Sequence, residues 1–102
     1  MRIISQKNLR LFWEQHPDAE APLKTWFRIT AKAHWRNFVE LRVTFPHADQ
    51  VKVASGNTVT VFNIHGNDYR LVASVKFKLH LVYTLLVMTH EEYSRGQWKS
   101  VL

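Results

Sequence analysis

Cysteine is absent from the 102 residues. That removes a disulfide framework, a zinc knuckle or ribbon and a thiol nucleophile together, and it fits a reducing compartment such as the cytoplasm. Glycine and proline are scarce, with three of each. No Gly/Ser linker, low-complexity tract or internal repeat breaks the chain, so residues 1–102 read as a single domain rather than a jointed, fibrous or disordered one. Long hydrophobic runs are missing too. The longest apolar stretch, Leu81 to Met88, includes Tyr83 and Thr84 and falls well short of the roughly 20 residues that a membrane-spanning helix needs. The opening MRIISQKNLRLFW has neither the apolar region nor the small-residue cleavage site of a secretory signal, so the mature chain is expected to start at or near Met1 and to act in the cytoplasm, with no membrane partner. Acidic residues are the minority, 8 against 14 Lys+Arg, for a net charge of +6 with the histidines neutral. Such an excess suits a polyanionic partner, because a phosphate backbone releases counterions when cations replace them.

The chain is nevertheless rich in core-forming residues, at 46% hydrophobic, and the period of its apolar positions changes midway. In the first half Leu9, Phe12 and Trp13 fall at helical spacing between Ser5 and Pro17. A second stripe follows in Ala19, Leu23, Trp26, Phe27 and Thr30. Pro22 requires that this second helix either begin around Ala21 or bend there. Asn37 is placed to cap a short third helix that Pro46 closes. Met1 to Ile4 form a possible first strand. In the second half the period becomes two: Val51–Ala54, Thr58–Ile64, Asp68–Phe77 and His80–Thr89 alternate as strands, with turns at Ser55-Gly56-Asn57 and Gly66-Asn67. The last of these is apolar on both faces and is expected to be central. In the third, Tyr69, Leu71, Ala73, Val75 and Phe77 define a buried face, and Arg70, Val72, Ser74 and Lys76 a polar one. Thr89-His90-Glu91-Glu92 has the form of a capping box that starts a C-terminal helix. The expected fold is therefore α+β: N-terminal helices packed on an antiparallel-rich sheet of four to five strands, with a short helix at the end.

Turn lengths set a register. With Gly66 and Asn67 at the centre of a hairpin, Asn63 lies opposite Arg70. With Lys78 and Leu79 in the next loop, Arg70 lies opposite Val87, or opposite Met88 after a one-residue adjustment. Asn63, Arg70 and the end of the last strand then meet at one sheet edge, with His90 just beyond and His65 on the same rim. An arginine there can hold a phosphate bidentately and stabilise developing charge, and a histidine can move protons near neutral pH. The histidines show no HExxH or other close ligand pair in sequence, so no metal or other cofactor is expected. No Ser-His-Asp set or Gly-rich nucleotide loop can be assembled either. Trp13, Trp26, Phe27, Trp35 and Phe38 read as core at helical spacing, while Trp98, beyond the last element, reads as the exposed aromatic. Aromatics at 12, 13, 26 and 27 exceed what one small sheet needs to bury, which makes the first two helices a candidate partner surface.

The strings Phe62-Asn63-Ile64-His65-Gly66-Asn67-Asp68-Tyr69-Arg70-Leu71-Val72 and Val87-Met88-Thr89-His90-Glu91-Glu92-Tyr93 resemble the HigB toxins, a branch of the RelE-like mRNA interferases of type II toxin–antitoxin systems. The N-terminal helices, the Trp26 stretch and Phe45-Pro46-His47-Ala48-Asp49 follow in family order, so the resemblance covers nearly the whole chain. It implies a RelE-like sandwich that cleaves mRNA on the translating ribosome without a metal, and a HigA-like helix-turn-helix antitoxin that neutralises it. It also implies that Arg70 binds the scissile phosphate, that His90 acts as general acid or base, and that Tyr93 positions or stacks on a nucleotide. Asn63 and Asn67 would shape the site, with Lys52, Lys76 and His65 as further RNA contacts. Members often carry Asp where this chain has Ser94, and a basic residue where it has Leu85. Those departures leave a second class open: a non-catalytic toxin of the ParE type, or a nucleic-acid-binding module, that inhibits gyrase or translation.

Overall fold

The computed structural model describes residues 1–102. The chain opens with β1 (Arg2–Ile4) and α1 (Lys7–Gln15), makes one 3-10 turn at Pro17–Ala19, and continues through α2 (Glu20–Lys32) and α3 (Phe38–Thr44). Strands β2 (Asp49–Lys52), β3 (Thr58–Ile64), β4 (Tyr69–Lys76) and β5 (Leu81–Thr89) then form a meander, followed by α4 (His90–Arg95) and a 3-10 segment at Gln97–Ser100. The sheet runs β1-β5-β4-β3-β2. Its one parallel pair joins β1 to β5, with Arg2 opposite Leu81, and its other pairs are antiparallel. The expected α+β sandwich thus forms on five strands, and β5, apolar on both faces, lies inside the sheet.

Local chemistry sets the helix ends. Glu20 and Ala21 precede Pro22 within α2, so the proline occupies the first turn, where a missing N–H leaves no intrahelical bond unmade. Asn37 caps α3 by accepting the Glu40 backbone N–H at 3.0 Å. Glu40 in turn takes the Arg36 guanidinium at 2.7 and 2.9 Å. That guanidinium holds the Glu40 carboxyl below the usual carboxylate range. The Met1 ammonium donates to the Ala33 carbonyl at 2.6 Å and the Ala31 carbonyl at 3.3 Å, placing positive charge at the C-terminal end of α2 where the helix dipole favours it.

Both faces of the sheet are covered. On one, Tyr69, Leu71 and Ala73 pack with Ile3, Phe62, Ile64 and Val82 against Leu9, Leu23, Trp26 and Leu41 of the helices. Trp26 is 2% exposed, and Phe12, Trp13 and Phe27 pack partly buried against this core. The other face, expected to be polar, carries a second core of Val53, Val59, Val61, Val72, Met88 and Trp98. Trp98 is 7% exposed and its Nε1 donates to the Tyr93 carbonyl at 3.1 Å, which overturns its expected exposure. The reason is tertiary. Outward-facing valines of three successive strands build an apolar strip that Trp98, beyond α4, packs into, and strand periodicity within each segment does not reveal it.

Candidate active site

The expected register at the β3–β4 hairpin forms: Ile64 pairs with Tyr69 and Asn63 with Arg70. Across β4 and β5, pairing starts at Lys76 opposite Leu81 and proceeds evenly to Ala73 opposite Thr84, then jumps to Val72 opposite Leu86. Leu85 is the extra residue of a β-bulge, and the jump places Arg70 opposite Met88. Without it every later residue of β5 would swap faces and the following helix would start one position further from Arg70. Asn8 of α1 secures the bulge, its amide donating to the Thr84 carbonyl at 2.7 Å. The bulge brings Thr89 opposite Tyr69, and the His90 N–H donates to the Asp68 carbonyl at 2.9 Å.

Helix α4 starts there for a local reason. The Thr89 hydroxyl accepts the Glu92 N–H at 3.2 Å, while the Glu92 carboxylate accepts the Thr89 N–H at 3.0 Å, completing the capping box. His90 and Tyr93 stand at i and i+3, neighbouring positions on the helix surface. The Tyr93 ring lies 5.5 Å from the Arg70 guanidinium carbon and stacks on Trp98 at 5.4 Å, with the ring planes 21° apart. The buried tryptophan therefore backs the tyrosine that covers the arginine, a contact nothing in the linear pattern signals.

Arg70 is 8% exposed. Its Nη1 donates to the carbonyls of Tyr69 at 3.0 Å and Asn67 at 3.2 Å, and its Nη2 donates to the Asn67 side-chain oxygen. Those bonds fold the guanidinium back onto its own turn and leave Nε–H and one Nη2–H without an intramolecular acceptor. No carboxylate pairs with it. A buried cation compensated only by carbonyl dipoles and an aromatic face favours an incoming anion, because the attraction is weakly screened there.

Residues 19–96 match a family described as HigB_toxin, RelE-like toxic component of a toxin-antitoxin system. Similar proteins include the mRNA interferase toxin HigB of Escherichia coli strain K12 and the mRNA interferase HigB of Escherichia coli O157:H7. Each is 34% identical over 93 residues, covering 91% of this chain and 88% of the relative. An mRNA interferase HigB of Escherichia coli O6:H1 is 24% identical over 95 residues, at 93% and 90% coverage. This chain belongs to the HigB toxin family. An antitoxin is accordingly its partner.

In this chain the remaining anticipated site residues divide. Asn63 is exposed opposite Arg70, Asn67 is bound to Arg70, and Lys76 lies exposed further along the same face of β4. Lys52 does not join them. It pairs with Thr58, and because Val51 and Val59 on either side of that pair's alternation pack in the second core, Lys52 falls on the opposite face at the sheet's edge. His65 also turns away: its Nδ1 lies 2.8 Å from an Asp68 carboxylate oxygen and 3.8 Å from one of Asp18, and its ring stacks on Tyr69. The Tyr69 hydroxyl donates to Asp18 at 2.6 Å. That bond, with burial and the charges of Asp18 and Asp68, pushes the Tyr69 phenol up to about 12. Asp18, His65 and Asp68 thereby form a solvent-exposed group with metal-ligand chemistry that the sequence reading did not anticipate. It clasps the α1–α2 connection to the β3–β4 turn. Its members were unreadable as a set because Asp18 lies far along the chain from His65 and Asp68. No helix of the chain is long and apolar enough to cross a membrane.

Proposed function

We propose that this chain is the toxin of a type II toxin–antitoxin pair and cuts mRNA as an endoribonuclease that needs no metal ion. The observation that carries the reading is Arg70, a buried guanidinium without a counter-ion, covered by Tyr93 and set beside the helix that presents His90. The names and 34% identity of the Escherichia coli relatives support it.

In the reaction, the substrate's 2′-oxygen attacks the adjacent phosphorus while the bond from phosphorus to the 5′-oxygen breaks. The 2′-hydroxyl proton passes to a base and the departing 5′-oxygen receives a proton. Arg70 binds the phosphate and offsets the extra negative charge of the transition state, with its spare N–H donors as the contact. His90 serves as the acid or base, since an imidazole ring can both give and take a proton. Tyr93 stacks on or positions a nucleotide, Asn67 fixes Arg70, Asn63 shapes the edge beside it, and Lys76 holds a phosphate further along the RNA strand. A HigA-like helix-turn-helix antitoxin neutralises the toxin, which meets its mRNA on the translating ribosome in the cytoplasm.

Mapping RNA ends after brief induction tests this. New cuts inside translated reading frames are expected, with 5′-hydroxyl and 2′,3′-cyclic phosphate ends. Arg70→Ala and His90→Ala should each lower cutting by on the order of 100-fold. Products with 5′-phosphates would sink the metal-free displacement. Intact messages with stalled replication would instead favour the gyrase-directed reading that Leu85 and Ser94 left open.

A further inference from the structure

Beyond Arg70 on the same sheet face lies a groove of about 390 Å³ that includes only Lys76 of the residues given a role above. Buried Val53 and Val59 supply apolar lining, and Tyr83 and Leu85 of β5 and Leu102 line it half-buried. Asn57, Ser74 and Lys76 contribute polar groups. The Asn57 side-chain amide, the Ser74 and Tyr83 hydroxyls and the Lys76 ammonium make no hydrogen bond or ion pair within the chain, and no Asp or Glu side chain lines the groove. An apolar lining, an aromatic wall, convergent unpaired donors and acceptors, and one cation suit a flat heteroaromatic ring that carries an anionic tether. A nucleotide of single-stranded RNA has that chemistry.

The position agrees with this occupant. Arg70, Ser74 and Lys76 point to one face of β4, and at about 3.3 Å per residue Ser74 lies about 13 Å from Arg70. A strand whose scissile phosphate sits on Arg70 would therefore place a flanking base, not a base of the cleaved step itself, over the groove. We propose that this groove is a nucleobase subsite. Tyr83 stacks on a base flanking the cut, Asn57 and Ser74 hydrogen-bond its edge, and Lys76 binds its phosphate, which gives the toxin a sequence preference away from the cleaved bond. The proposal rests on the RNA-cleaving reading above.

The test is end mapping after brief induction of the wild type, Tyr83→Ala, Asn57→Ala and, as a control on the exposed surface of α3, Val39→Ser. Wild type should show a base preference at one flanking position. Tyr83→Ala should lower total cutting on the order of tenfold and erase that preference. Asn57→Ala, at an exposed turn where folding is not at stake, should change which base is preferred, and Val39→Ser should alter neither readout. Urea midpoints of the purified variants confirm that each is folded. An unchanged preference in folded Tyr83 and Asn57 variants overturns the subsite, as does a wild type with cuts but no flanking preference. An unchanged preference combined with weakened inhibition by the antitoxin also overturns it and assigns the groove to the antitoxin. No cuts from wild type would refute the RNA-cleaving reading itself and the subsite with it, a result distinct from cuts whose pattern the variants leave alone.

Discussion

Replacing Trp98 by alanine should destabilise the protein far more than a substitution near a chain end normally does. The indole is 7% exposed, packs among Val53, Val59, Val61, Val72 and Met88, stacks on Tyr93 and donates one hydrogen bond to the Tyr93 carbonyl. Truncating a buried aromatic to alanine costs about 3–5 kcal/mol. Trp98→Phe keeps much of the volume and a ring for the stack, and loses the Nε1 bond, for about 1 kcal/mol. Equilibrium urea unfolding followed by far-ultraviolet circular dichroism reads both. With a urea slope of about 1–3 kcal/mol per molar for a small domain, Trp98→Ala should lower the midpoint by more than about 1 M, and Trp98→Phe by a fraction of that. Losing the ring behind Tyr93 should also reduce RNA cleavage by Trp98→Ala, at urea-free conditions where the variant is still folded. A Trp98→Ala cost within about 0.5 kcal/mol of wild type, the range of ordinary surface changes, would refute the second core.

Thr89→Ala removes the hydroxyl that accepts the Glu92 N–H in the capping box at the start of α4 and leaves the backbone half in place, so it should cost about 1 kcal/mol in urea unfolding and reduce cleavage, because His90 and Tyr93 lose their fixed approach to Arg70; full activity would show that the cap does not position them. Asn8→Ala leaves the Thr84 carbonyl at the bulge without its 2.7 Å donor. A loss of about 1 kcal/mol is expected, with slower cleavage than in an equally destabilised α1 surface variant, and equal rates would separate the bulge from the site. Tyr69→Phe deletes the bond to Asp18 and should lower the melting temperature at neutral pH. Because the folded-state phenol is raised from 10.0 to about 12, its contribution is complete below about pH 10 and is lost as the pH rises through 12. The gap between wild type and Tyr69→Phe should therefore close over that window, and a constant gap would mean that the hydrogen bond does not govern the titration.

Much of this protein was written in short-range pattern. Helical spacing around Leu9 and Leu23, alternation through β4, the Asn37 cap, the Thr89–Glu92 box and the Gly66-Asn67 turn act over a few residues, and they led to the right elements in the right order. Loop length carried further, since a hairpin ties its two strands rigidly, and so Asn63 opposite Arg70 followed from counting. Contacts between distant segments were settled by three-dimensional packing. Which of two registers β5 adopts depends on Leu85 bulging out under Asn8, a residue from another element. Whether Trp98 is exposed depends on a valine strip assembled from separate strands. Lys52 left the Arg70 face by strand alternation at the sheet's edge, and His65 left it because Asp18, brought from the α1–α2 connection, and Asp68 draw its imidazole away. Periodicity and turn chemistry are local energies that a linear reading can sum, whereas burial and register depend on which distant surfaces meet, and only the folded chain decides that.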